Sequence, residues 1–128
     1  MGTSGSKEAD VIKFQHLPNA ARFKSWWRDT TELIASSSRD PDAAYKWILA
    51  VEEFTAYEPI TTDARFATLD GKVLSGLSFL LSGDFRRRVH VIKEAFAKSR
   101  TMIQGRQLAW LIRDHMTRSP CERGHAFP

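Results

Sequence analysis

Cysteine is almost missing from this chain: Cys121 is the only one in 128 residues. An intrachain disulfide is excluded, so any fold must rest on a hydrophobic core rather than on covalent staples. Long apolar runs are missing too, and none approaches the ~20 residues a helix needs to cross a bilayer. The N-terminus lacks a charged start followed by an apolar stretch, so no secretory signal is read there and a cytoplasmic setting, or a nuclear one, is expected. Glycines are few and scattered. Gly71, Gly76 and Gly83 lack the lysine and hydroxyl that follow a phosphate-binding loop.

The residues of catalysis are sparse in the same way. None of His16, His90, His115 and His125 has the i, i+4 partner of a helical zinc protease. Cys121 and His125 form a Cys-x₃-His pair, which is two ligands where a structural zinc site takes four, so no metal is expected. The adjacent acids Glu52 and Glu53 do not face each other on a helix and read as a solvated face. No Ser/His/Asp or Cys/His set falls on a shared element. The expectation is a protein that is not an enzyme, with no cofactor and no small-molecule substrate.

What is present is the makeup of an ordinary globular domain, 42% hydrophobic and 27% charged. Its length fits one domain with a sizeable core. The division expected is a disordered tail over 1–10, a helical domain over 11–117 and a frayed tail over 118–128. Gly2 and Ser6 match the N-myristoylation pattern, although a Gly/Ser-rich start is equally typical of a cloning remnant.

Apolar spacing predicts an all-α bundle of about five helices. Residues 11–17 alternate and end at Pro18, which predicts an extended arm along the bundle. Asn19 is a good N-cap for a first helix carrying Phe23, Trp26, Trp27, Thr30 and Ile34 on one face. The serines at 36–38 end it. Asp40-Pro41 then opens a second helix, with the acid as cap and the proline where a missing N–H costs nothing. That helix shows Ala44, Trp47, Ile48, Val51 and Phe54 or Thr55, and Tyr57-Glu58-Pro59 stops it. Thr61-Thr62-Asp63 opens a third, with Phe66, Leu69, Val73, Leu77 and Leu80 in a stripe. Within it, Gly71 and Gly76 signal either a close neighbour or a break near Thr68. Gly83 reads as the residue ending that helix and Asp84 as the cap of the next. The fourth helix, about 85–98, turns in Phe85, Val89, Ile92 and Phe96. The fifth, about 106–117, carries Leu108, Leu111, Ile112 and His115 or Met116, with Trp110 at its edge.

Charge is uneven along the chain. Residues 1–83 hold 9 Lys/Arg against 11 Asp/Glu, whereas residues 84–128 hold 10 against 4. A basic second part points to a polyanion, or to charge matching between copies. The candidate nucleic-acid contacts, for RNA or DNA, are Arg86, Arg87, Arg88, Lys98, Arg100 and Arg106. Consecutive helical residues project about 100° apart, so the three successive arginines cannot form one stripe. A patch requires Arg87, Lys98, Arg100 and Arg106 to converge at the corner between the last two helices. Trp27, at the margin of the first helix's apolar face, is the aromatic available for a subunit contact.

The order of segments carries a resemblance. Leu17-Pro18 precedes Phe23-Lys24-Ser25-Trp26, and Tyr45-Lys46-Trp47-Ile48-Leu49 runs into Val51-Glu52-Glu53. Arg65-Phe66-Ala67-Thr68-Leu69-Asp70-Gly71-Lys72-Val73 leads into the third helix, and Gly105-Arg106-Gln107-Leu108-Ala109-Trp110-Leu111-Ile112 opens the last. Over about residues 14–117 this resembles the gag-like region of LTR retrotransposon polyproteins, in particular copia-type versions as in dinoflagellate genomes. The resemblance implies a capsid-like helical domain that self-associates into particles and packages RNA, with no catalytic residues. The chain departs from a full element in having no Cys-x₂-Cys-x₄-His-x₄-Cys zinc knuckle, protease or polymerase segment.

Overall fold

Asn19 starts the helical part of the chain. In the computed structural model, which describes residues 7–118, its Oδ1 accepts the backbone N–H of Arg22 at 3.1 Å. The first turn is a tight 3₁₀ turn, Ala20–Arg22, that runs straight into α1, Phe23–Ser36. This helix buries Phe23, Trp26, Trp27, Thr30, Thr31, Ile34 and Ala35 on one face. Its end is made by the serines. The Leu33 carbonyl accepts from the Ser37 amide (3.0 Å) and from the hydroxyls of Ser36 (3.0 Å) and Ser37 (2.8 Å), so no further turn is needed to satisfy it.

Asp40 accepts from the Ala43 amide and Pro41 fills the first position of α2, Pro41–Leu49. This helix is shorter than its apolar pattern implies. The backbone tightens into a 3₁₀ turn, Ala50–Glu53, and leaves it at Phe54 in an extended conformation. The cause lies in the last helix: Trp110 Nε1 donates to the Phe54 carbonyl (2.9 Å) and Gln107 Nε2 to that of Tyr57 (3.2 Å). A continuing helix would need those carbonyls for its own ladder.

Asp63 accepts from the Arg65 amide (3.1 Å) and starts a 3₁₀ turn, Ala64–Phe66, before α3, Ala67–Ser78. The break therefore falls close to Thr68, and Leu69, Val73 and Leu77 are buried beyond it. The close-neighbour expectation holds for Gly76, against which the N-terminal arm lies, and not for Gly71, where a Cβ would meet open space.

The corner before α4, Gly83–Lys98, differs from expectation. The third helix ends at Ser78, a link over 79–82 follows, and Gly83 opens α4 at φ +61, a left-handed value that costs glycine no strain. The Ser82 carbonyl accepts the Arg86 amide, and Asp84 pairs with Arg87 instead of capping. At the other end Thr101 N–H donates to the Phe96 carbonyl (3.0 Å) and Arg100 N–H to that of Ala97 (2.9 Å), a Schellman pair. The residue in the left-handed position is Arg100, at φ 59, where glycine is the usual choice.

The last helix, α5, Gly105–Thr117, packs on α3 and also touches α1, which pairs with α2. A Cβ at Gly105 would run into the Asp70 carbonyl, so glycine lets α3 and α5 approach. One core joins all five helices, α4 contributing Phe85 and Val89, and residues outside the helices complete it: Ile12 from the arm, and Ile60 and Ile103 from loops. Among the described residues there are five α-helices and no strand.

Candidate interaction surface on the fourth helix

Of the sixteen residues of α4, only Phe85 and Val89 are buried. Phe85 stacks on His115 of α5 with centroids 4.2 Å apart, Phe96 lies 6.3 Å from Tyr57, and Lys93 donates to Ser78 Oγ at 3.3 Å. The helix leans on the bundle along this narrow line and shows the rest of its circumference to solvent.

Arg86, Arg87, Arg88, Lys98 and Arg100 are all exposed. Arg87 pairs with Asp84, and the Arg88 guanidinium lies over the Phe85 ring, 5.5 Å from its centroid. Among the described residues no carboxylate lies within ion-pair distance of Arg86, Lys98 or Arg100. Helical geometry puts Arg87 and Lys98 on one outer stripe about 16 Å apart, so they cannot meet at a corner. Arg86 and Arg88 fall on opposite flanks.

Arg106 does not join them. It is buried, its Nη1 donates to the Thr61 carbonyl at 2.6 Å, and its guanidinium lies 5.5 Å from the Trp47 ring centroid. Burial lowers its pKa from the ordinary arginine value, opposed by the charges of Asp70 and Asp63. Asp70, also buried, accepts from the amides of Gly105 (2.7 Å) and Arg106 (2.9 Å) and from Thr62 Oγ1 (3.1 Å). A carboxylate of α3 thus caps the positive end of α5. The four cations do not form the expected patch: Arg87 and Lys98 share an outer stripe of α4, Arg100 follows its end, and Arg106 is spent on the core.

Trp27 is also spent internally. Its side chain is 7% exposed, Nε1 donates to Glu52 Oε2 at 2.6 Å, and Arg113 stands 5.9 Å from its ring centroid. The first helix's apolar face is wide enough to take in both tryptophans, because α5 as well as α2 packs on it. Trp27 offers no exposed ring for a subunit contact, and Glu52 is no mere solvated acid.

Sequence spacing missed the exposed apolar residues around α4: Phe79 just before it (89% exposed), Val91 in its middle (66%) and Met102 just after it (74%). The available signal was that all three fall off the core stripes. Among the described residues no group of three or more His, Cys, Asp or Glu side chains is placed to hold a metal. No described helix is long and apolar enough to cross a membrane. Gly2, Ser6, Cys121 and His125 lie outside the described residues. No protein-family model matches the chain, and neither does any curated protein or solved structure.

Proposed function

We propose that this domain is a non-catalytic, gag-like structural module that associates with copies of itself. The observation that carries the reading is that large apolar side chains stay outside the core: Phe79, Val91 and Met102, before, on and after α4. Phe79 lines one groove together with the exposed Val11 and with Phe14 and Leu80, and a contiguous apolar surface of this kind is what association covers. The order of sequence segments that resembles retrotransposon gag supports the same reading, and implies a capsid-like particle as the product. Light scattering at rising protein concentration is expected to show oligomers, and Val91→Asp to suppress them. A chain that stays monomeric at every concentration and salt level sinks the assembly reading.

Arg100 favours a second reading, binding of RNA or DNA along α4. A cation kept at φ 59, where glycine is less strained, is a backbone cost without a packing return. The affinity for RNA is expected to fall steeply with salt. Replacing Arg86, Arg87 and Arg88 together by alanine should weaken it, and unchanged binding by that variant removes this reading.

A further inference from the structure

Residues 8–17, ahead of the first helical turn, form neither helix nor strand, and their polar anchors run to other parts of the molecule. Ala9 N–H donates to the Ser37 carbonyl (2.8 Å), and the Ala9 carbonyl accepts from Lys72 Nζ (2.8 Å). Glu8 pairs with Lys72 at 2.6 Å and accepts from Thr68 Oγ1 at 3.1 Å. Ile12 enters the core, and Phe14 lies over Gly76, where a Cβ would stand 2.6 Å from both the Phe14 ring and the Ile12 carbonyl. The base of the arm is pinned by Trp26 Nε1, which donates to the Gln15 carbonyl at 3.0 Å.

The arm does not seal its own seat. A groove of about 700 Å³ stays open between it and α3, lined by Val11, Phe14, Gly76, Phe79 and Leu80. At this groove Val11 is 67% exposed and Phe79 is the most exposed large apolar side chain described.

We propose that a second copy of the chain binds at this face, by pairwise exchange of the arm segment 8–14. The inference rests on the assembly reading for its partner and names one contact by which copies join. Because the anchors join arm to body, a partner's arm restores each of them in trans. An extended segment has no internal ladder to lose on leaving. The complementarity is specific: an acid at position 8 meets a lysine at position 72 in a part-buried site, and a phenylalanine ring meets a position with no Cβ. Exchange between two copies closes with two-fold symmetry.

Charge reversal separates exchange in trans from docking in cis. Glu8→Lys alone and Lys72→Glu alone each put like charges together within one chain. An equimolar mixture restores both pairs, but only if the arms are exchanged. Native mass spectrometry is expected to show a 1:1 heterodimer, with an apparent Kd on the order of tenfold below that of either variant alone. The chain carrying both reversals restores the pair in cis and is expected to behave as the unmodified chain does. A mixture with no more dimer than its components overturns the exchange. If a single variant fails to fold, a Val11→Cys chain mixed with a Phe79→Cys chain, both in a Cys121→Ser background, gives the second measurement. An intermolecular disulfide supports exchange, and its absence at concentrations where the unmodified chain is oligomeric overturns it. Oligomers without either mixed product leave the assembly reading standing and remove the arm from it. Mixed products from an unmodified chain that stays monomeric support the exchange surface and remove the assembly reading.

Discussion

The Asp70 carboxylate ties three pieces of chain together, through Thr62, Gly105 and Arg106. Removing it strands two buried amides and takes away the carboxylate whose charge most favours the Arg106 guanidinium. Asp70→Ala is expected to cost about 3–5 kcal/mol, and Asp70→Asn, which keeps an acceptor, about 1–2 kcal/mol, both measured by urea unfolding. Arg100→Gly tests the opposite sign. Relief of the left-handed strain is expected to stabilise the domain by about 1 kcal/mol, while RNA affinity falls if Arg100 touches phosphate. Tyr57 supplies a pH dependence: burial, and then the charge of Glu58, raise its pKa above the ordinary value of 10.0. The folded state therefore holds the phenolic proton more tightly than the unfolded chain does. That contribution is fully present below the unfolded pKa and is lost as pH rises through the folded one. Tyr57→Phe is expected to flatten this part of the alkaline stability curve, read by denaturation at about pH 9 and about pH 11. None of these roles shows in local sequence. Asp70 sits one residue after a core leucine, and its partners lie up to 36 residues away.

Elements whose ends are set locally were legible, and those set from a distance were not. Asn19, the serine run and Asp40-Pro41 act within a few residues, so α1 and the start of α2 follow from spacing and capping chemistry alone. The end of α2 does not, because Trp110 and Gln107 take its would-be carbonyls from across the core. The fourth helix was legible as a helix, but its loose seat was not. Its apolar positions repeat as a core stripe should, yet Ile92 and Phe96 are only partly covered. With two buried side chains along sixteen residues, α4 should open before the rest of the bundle. Hydrogen exchange is expected to label its amides well ahead of those of α3 and α5. Replacing Arg86, Arg87 and Arg88 by alanine should shift global stability by no more than about 0.5 kcal/mol, since the three side chains are exposed. A larger loss would mean that the arginines hold α4 in place and are not free for a ligand.

At the scale of the whole molecule, the tryptophans report on one part of the fold. Trp26 and Trp27 stand on α1, Trp47 on α2 and Trp110 on α5; the first three lie in the core, Trp110 packs against it half-buried, and none is on α4. Indole fluorescence therefore follows the packing of α1, α2 and α5, whereas far-UV circular dichroism follows every helix including α4. In a cooperative domain the two transitions coincide. Phe85→Ala removes the ring that stacks on His115 and should release α4 first, so the dichroism transition is expected to begin at lower urea than the fluorescence transition. Trp47→Ala acts differently. Its ring stacks on Phe66 at 5.0 Å and lies against the Arg106 guanidinium, so its loss opens the seam between α2 and the start of α3 and exposes the buried charge behind it. That variant is expected to lose about 3–5 kcal/mol with both transitions moving together, a large share of what a domain of this size has. Coincident transitions in Phe85→Ala would show that α4 unfolds together with the rest of the bundle. Its exposed cations and apolar side chains would then be ordinary surface on a rigid body, and the case for α4 as a separable interaction helix would fall.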